Sequence, residues 1–313
     1  MDQLIKIDEY PVKDVLSILL SDKTTKKNII WATDTYSSLG PGFGDKNHIE
    51  AGLLMKQNAS ILQPRISKSL ADQQERTRKK AEVMTPVWIC NKMNNYADEE
   101  WFGKKDVFNH ENEDKGWTVN EEPVAFDEEH SWRDYVDSKR LEITCGEAPY
   151  IVSRYDTTTG ELIEPAKRRV GMLDRKLRVV NENAADDDEW LKWTERAVQS
   201  CYGYEYQGDN LLIARINVFM TFYEHYVSRT EKEPDVKLMR HMANIISWNF
   251  WQMDGLKDTV PLGKPFEEFH QMSIFDMFEP ETEEKEEELE AVPCRIFNWR
   301  NNESVIYRDC KRG

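Results

Sequence analysis

Between residues 141 and 255, short apolar runs with strand character alternate with longer stretches of helical periodicity, and no other feature constrains the fold as tightly. "LEITCG" (141–146) reads as a short buried strand, "YGYEYQ" (202–207) as a second, and the end of "LMRHMANIISWNFWQMDGL" as a third that closes at Asp254-Gly255. Between them, "LDRKLRVVNEN" and "EWLKWTERAVQSC" read as helices. "NLLIARINVFMTFYEHYVSRT" reads as a long amphipathic helix with Leu211, Ile213, Ala214, Ile216, Val218, Phe219 and Phe222 on its apolar face. Strands joined through helices cannot be hairpin neighbours and pair in parallel. The expected fold is therefore α/β, a mostly parallel sheet with helices on both faces. A local hairpin is expected around Thr157–Gly160 in "YIVSRYDTTTGELIE".

The flanks read less regularly. Val12–Leu20 is expected to be helical and Asn28–Ala32 a strand, while "SSLGPGFGDKN" (37–47) lacks the G-K-[ST] ending of a phosphate loop and reads as a loop. Residues 65–82 form the most basic helical stretch, expected to be a solvated face, and 98–140 read as an irregular insertion. "EPETEEKEEELE" (279–290) has eight Glu to one Lys and reads as a disordered linker. The expected organisation is a helical or irregular region over 1–77, a main domain over 78–278, an acidic linker over 279–291 and a docking segment over 292–313.

A net charge of −16 argues against non-specific coating of nucleic acid, so any DNA contact would need a local basic face or another subunit. The five cysteines are scattered without a C-x-x-C pair, and the histidines show no H-x-x-x-H. That argues against a zinc or disulfide framework and makes a reducing cytoplasm the expected setting. No apolar run reaches the roughly 20 residues a membrane span needs, and no signal peptide is expected.

Thr85-Pro86 opens a further helix, with Thr85 as N-cap and Pro86 in the first helical position. Val87, Ile89, Cys90, Met93 and Tyr96 supply its apolar stripe, and its free amides suit an anion. In open parallel sheets ligands bind beyond the carboxyl ends of the strands. There Gly146 allows close approach of backbone to ligand. Glu205 offers an acceptor-only carboxylate suited to ribose hydroxyls, and Asp254 a second acid able to accept from an exocyclic amine.

These motifs, in this order, resemble the N6-adenine DNA methyltransferases of restriction–modification systems. "Ala81-Glu82-Val83-Met84-Thr85-Pro86" resembles the "E-V-F-T-P" helix start, with Met for Phe. "Glu142-Ile143-Thr144-Cys145-Gly146-Glu147-Ala148" resembles the "D-P-A-C-G-S-G" cofactor loop. "Tyr202-Gly203-Tyr204-Glu205" followed by "Ala214-Arg215-Ile216-Asn217" is similar to the strand and "A-R-x-N" helix that hold the cofactor ribose. "Met253-Asp254-Gly255" looks like the adenine-contacting acid. The resemblance covers about residues 78 to 260. It implies a Rossmann-like class I methyltransferase fold and S-adenosylmethionine as cofactor, held by Thr85, Pro86, Glu142, Thr144, Gly146, Glu205, Tyr206 and Asp254.

Two departures carry weight. Ala148, followed by Pro149, stands where the family loop has its second glycine, and the catalytic "[N/D/S]-P-P-[Y/F/W]" is not found. The nearest strings are Glu147-Ala148-Pro149-Tyr150, already in the cofactor loop, and Phe297-Asn298-Trp299, which lacks both prolines. No catalytic residue is assigned. The expectation is a cofactor-binding half that depends on a protein partner for catalysis and DNA reading, or a non-catalytic methyltransferase-like interaction protein, with no metal and no membrane involved. A nuclease of PD-(D/E)-x-K type, using Asp156 with Asp174-Arg175-Lys176, is the third reading; such spacing arises by chance in a chain with 58 acidic residues.

Overall fold

The computed structural model describes residues 4–55, 58–68, 73–74, 76–78, 85–262 and 292–311. Residues 81–84 of the first motif, the acidic linker 279–291 and part of the basic stretch lie outside them.

Helix α1 (Val12–Leu20) has the expected bounds because Val12, Val15, Leu16, Leu19 and Leu20 recur at helical spacing and all are buried. The segment after it makes no ladder; only isolated bridges form, Ser21 with Asn28 and Ile30 with His48. Helix α2 (Val87–Phe102) starts one residue later than its sequence suggested. Pro86, extended at ψ 144°, occupies the cap position, and no side chain caps the helix. The stretch 98–140 is more ordered than an irregular insertion. It completes α2, forms the antiparallel hairpin β1 (Asn109–Glu111) and β2 (Trp117–Val119), and adds α3 (Trp132–Asp137), whose Ser131 and Asp134 make a reciprocal capping box.

Strand β3 (Arg140–Glu142) leads through the expected hairpin turn, closed by the Tyr155–Leu162 bridge, into α4 (Met172–Asn183) and α5 (Asp187–Gln199). Then come β4 (Cys201–Glu205), the long α6 (Gly208–Thr230), α7 (Val236–Asn249) and β5 (Phe250–Gln252). A second antiparallel hairpin, β6 (Arg295–Asn298) and β7 (Glu303–Ile306), is followed by the short α8 (Tyr307–Cys310).

The sheet is parallel throughout, in the order β3-β4-β5, with Leu141 opposite Tyr202 and Tyr204 opposite Trp251. The molecule is thus mixed α/β with a small parallel sheet of three strands. Its two faces are covered differently. Cys201 and Phe250 join the main apolar core with α1, α4, α5, α6 and α7. Tyr202, Tyr204, Trp251 and Met253 pack instead under Cys294 and Tyr307 of the C-terminal segment. Among the described residues, then, this face is covered by the segment 292–311 and not by the expected helices. Leu141 and Ile143, at the β3 side, stay 43% and 62% exposed.

The expected N-terminal region shares this core. Arg215 of α6 is fully buried, and among the described residues its hydrogen-bond partners are carbonyls. It donates to Phe250 O at 2.8 Å, Ser247 O at 3.2 Å, Ser21 O at 3.1 Å and Leu19 O. One planar fork of donors thereby ties the ends of α1 and α7 to the start of β5. Burial lowers its pKa to about 10, still charged at neutral pH. No described helix is long and apolar enough to cross a membrane.

Candidate functional site at the carboxyl ends of the strands

The chain beyond β3 does not continue as a strand. Thr144, Gly146 and Ala148 take positive φ values of 46°, 54° and 63°, at alternate positions. For Gly146 that geometry is free of cost, whereas for Ala148 and above all the β-branched Thr144 it is strained. Strain of this kind persists only where surrounding contacts over-determine the backbone, and it concentrates at ligand sites. The contacts here are specific. Cys145 N–H donates to Tyr204 O at 2.8 Å, and Gly146 N–H donates to the Glu205 carboxylate at 2.8 Å. Buried Glu147 accepts from the Arg65 amide and the Tyr155 hydroxyl, each at 2.7 Å.

Glu205 ends β4 and is 7% exposed. Its other oxygen accepts from the Tyr206 and Gln207 amides at 2.9 and 3.1 Å. Burial raises its pKa, and the three backbone donors oppose that rise. A carboxylate has about four lone-pair positions, so one remains for a hydroxyl. An added Cβ on Gly146 would meet no heavy atom within 4 Å, so the backbone is open to close approach at Gly146 itself.

Asp254 follows on the third strand: Met253 N–H donates to Glu205 O at 2.9 Å, setting the two acids on adjoining strand ends. Its carboxylate accepts from the Leu256 amide at 3.0 Å and faces Lys257 at 3.7 Å. Tyr206 is half-buried between these positions; burial raises its phenol pKa, and the charges of Asp254 and Asp45 add to that. Gly146, Glu205, Tyr206 and Asp254 are thus brought together.

The remaining residues sit at the margin. Glu142 is buried one turn back, where it accepts from the Tyr150 and Ile151 amides at 3.4 and 3.2 Å and burial drives its pKa well up. Thr144 is exposed, its hydroxyl turned to the Ile143 carbonyl at 2.7 Å. Thr85 and Pro86 reach the loop after β3 from the far side, Thr85 O accepting from the Thr157 hydroxyl at 2.7 Å.

Three parts of the site have no local signature in the sequence. Gln252 on β5 clasps Ile30, accepting from its amide at 2.9 Å and donating to its carbonyl at 2.8 Å, and it also donates to Tyr206 O at 2.8 Å. Gly208 permits this approach, since a Cβ there would lie 2.0 Å from Ile30 O. Asp209, fully buried, accepts from the Tyr36 hydroxyl at 2.7 Å and pairs with Arg76 at 2.9 Å and Lys68 at 3.5 Å. Within the described part of the basic stretch, the solvated-face expectation fails for Arg65 and Arg76, which are 8% and 2% exposed, and holds for Arg78, which is exposed. The nuclease set is spent elsewhere: Asp174 accepts from the Ser153 amide at 2.8 Å, Lys176 donates to the Ser200 hydroxyl at 2.6 Å, and Asp156 accepts from the Thr158 amide at 2.7 Å. Among the described residues no group of three or more His, Cys, Asp or Glu is placed to hold a metal ion. Against known family models, curated proteins and solved structures, the chain gives no significant match.

Proposed function

We propose that the chain binds S-adenosylmethionine at the carboxyl ends of β3, β4 and β5, as the cofactor half of a DNA adenine-N6 methyltransferase-like protein of a restriction–modification system. The reading rests on one observation: a strained glycine loop whose Gly146 amide is held by the carboxylate ending the neighbouring parallel strand, with open space beside the Gly146 Cα. The residues fit the cofactor. Glu205 has one acceptor position left for a ribose hydroxyl, Asp254 presents an acceptor at the next strand end, and Gly146 gives the backbone close approach. When bound, the cofactor supplies a methyl group on a sulfonium.

The chain's own contribution is placement. Gln252, Gly208 and the Ile30 segment fix the floor beneath Tyr206, and Glu147 fixes the far side of the loop. Fixed geometry is what a group transfer between two bound molecules needs most. With no N-P-P-Y string in the chain, base reading and catalysis are assigned to a partner polypeptide in the cytoplasm.

Calorimetry on the full chain tests this. Titration with S-adenosylmethionine is expected to give micromolar affinity, weakened at least about tenfold in Glu205→Ala, with Asp254→Asn intermediate. A titration without heat overturns the reading. The absent catalytic string favours a second reading, a methyltransferase-like pseudoenzyme acting as a regulatory or anti-restriction partner. Labelled methyl groups appearing on DNA with this chain alone would remove it.

A further inference from the structure

The amino ends of the strands carry a second surface, away from Gly146, Glu205 and Asp254. Lys139 lies directly before β3, Ser200 before β4 and Asn249 before β5. The C-terminal hairpin adds Phe297 from β6 and Trp299 and Arg300 from its turn.

Three half-buried rings form a row here. The centroids of Trp248 and Phe297 lie 5.2 Å apart, and those of Phe297 and Trp299 4.5 Å apart. The row is fixed in place. Trp299 Nε1–H donates to Asn249 Oδ1 at 2.7 Å, and the Arg295 amide donates to Thr24 Oγ1 at 3.0 Å, tying β6 to the 22–27 turn.

Cations stand at both ends of the row. Lys26 Nζ lies 5.3 Å from the Trp248 ring centroid, with Lys23 and Lys27 on the same turn. At the other end Lys139, Arg196 and Arg300 line one shallow depression with Trp299 and Asp137. Its volume of about 10 Å³ admits a water and nothing larger, so a partner must lie across the row. Arg196 and Arg300 share the Asp137 carboxylate, and exposed Lys139 has no ion pair among the described residues. Of the nearby acids, Asp22 is 3% exposed and accepts from the Thr24 and Thr25 amides, Glu195 faces His241 at 3.1 Å, and Glu303 is exposed. Burial, then the charges of Arg215 and Lys26, lower the Lys23 pKa to about 8, the direction expected where cations crowd one another. A chain of net charge −16 thus keeps a local basic face.

Cations flanking a row of rings match a polymer whose units each carry one phosphate and one open base face. An acidic peptide would meet the cations and leave the rings unused, and a duplex keeps its bases stacked on each other. We propose that this face binds single-stranded nucleic acid, with bases against Trp248, Phe297 and Trp299 and phosphates on the lysines and arginines at either end. It lies roughly 13 Å from the cofactor site along β4, at about 3.3 Å per residue, and stands or falls separately from it.

The test is fluorescence anisotropy of the full chain with a labelled thymidine oligonucleotide, against the same strand annealed into a duplex and against polyglutamate. The single strand is expected to bind with micromolar affinity at low salt, at least about tenfold more tightly than either control. Each phosphate neutralised contributes about −0.7 to the log–log slope of affinity against salt. Lys26→Ala combined with Lys139→Ala, both at exposed positions, should therefore weaken binding about tenfold and flatten that slope by about 1.4, without moving the thermal midpoint. Trp248→Leu should weaken binding about fivefold or more at unchanged slope. Tryptophan fluorescence should be quenched on saturation, a readout of stacking that needs no variant. No binding of the single strand at low salt, equal binding of the duplex or polyglutamate, or full affinity in the double lysine variant overturns the proposal.

Discussion

At the first turn of α6 Asp209 is fully buried and ionised; farther along the same helix His225 is buried to 6% exposure and neutral. Burial alone would raise the Asp209 pKa, but Arg76 and then Lys68 outweigh it and pull the value to about 2. At His225 burial and Arg169 act in one direction, Glu224 only partly opposes them, and the proton leaves. The contrast shows what a helix can keep in its interior. A charge survives where counter-charges are carried in from a distant segment, and a neutral form results where the neighbouring charges are already paired with each other.

The largest effect should come from breaking the charged end. Asp209→Asn leaves Arg76 buried beside a neutral amide and is expected to cost about 3–5 kcal/mol in denaturant unfolding. Pairing Asp209→Leu with Arg76→Met should return part of that loss, because both charges then leave together. A double variant no better than the single one would show that Asp209 is not held by its counter-ion.

The neutral end should speak through pH. His225 has a folded pKa near 4 and an unfolded one near 6.5, so between these values the unfolded chain binds more protons. The stabilisation is complete above about pH 6.5 and is lost as pH falls toward 4, on the order of 3 kcal/mol in all. Asp209, with its folded pKa near 2, loses its contribution only below about pH 4, as pH falls from its unfolded value toward its folded one. Acid titration of stability should thus weaken the His225 end first. The groups facing His225 are Asn181, Trp190, Arg169 and Glu224, and of these only Glu224 is a carboxylate, held low by Arg154 and Arg169. His225→Phe should flatten the slope between pH 4 and 6.5; an unchanged slope would assign it to other residues.

The same contrast marks what the sequence made legible. Helices α1, α5 and α7 and strands β4 and β5 follow from periodicity, since each buries a stripe or run that its letters already display. The existence of α4 and α6 was legible too, but not their burial: α4 buries Asp174, Arg175, Lys176 and Arg178 with its apolar residues, and α6, expected to be amphipathic, is buried on all sides from Gly208 to Phe219. The strand ends carrying Gly146, Glu205 and Asp254 were legible for the same reason. What binds them to the rest was not. The Gln252–Ile30 clasp joins residues 222 apart, and Arg215 meets its carbonyls 196 and 35 residues away. "A-R-x-N" suggested a ribose-holding helix, yet Arg215 serves α1, α7 and β5, while Asn217 donates to Glu147 O at 3.2 Å. Nor did any local pattern announce that residues 292–311 cover a sheet face, because Cys294 and Tyr307 find Trp251 and Tyr204 only once the chain has closed.

The smallest effect sharpens the comparison at the site itself. Ala148 is fully buried and keeps φ at 63°, the conformation a glycine would adopt without strain. It is held there by Glu147, whose carboxylate is taken by Arg65 and Tyr155, and by its own carbonyl, which accepts from Val152 N–H at 2.9 Å. A left-handed alanine costs about 1–2 kcal/mol, while the extra freedom of glycine in the unfolded chain returns about 0.4–1 of that. Against the rest stands the loss of a core methyl, about 0.8 kcal/mol. Ala148→Gly is therefore expected to change stability by less than about 0.5 kcal/mol. It should leave cofactor binding unchanged, because a methyl with no exposed surface does not line the site. Thr144→Gly, at a β-branched residue with φ of 46° on an exposed position, should stabilise more and leave the loop equally open. If both substitutions destabilise, the loop is not strained. The loop would then be held without strain by its hydrogen bonds, as the far end of α6 is by its ion pairs.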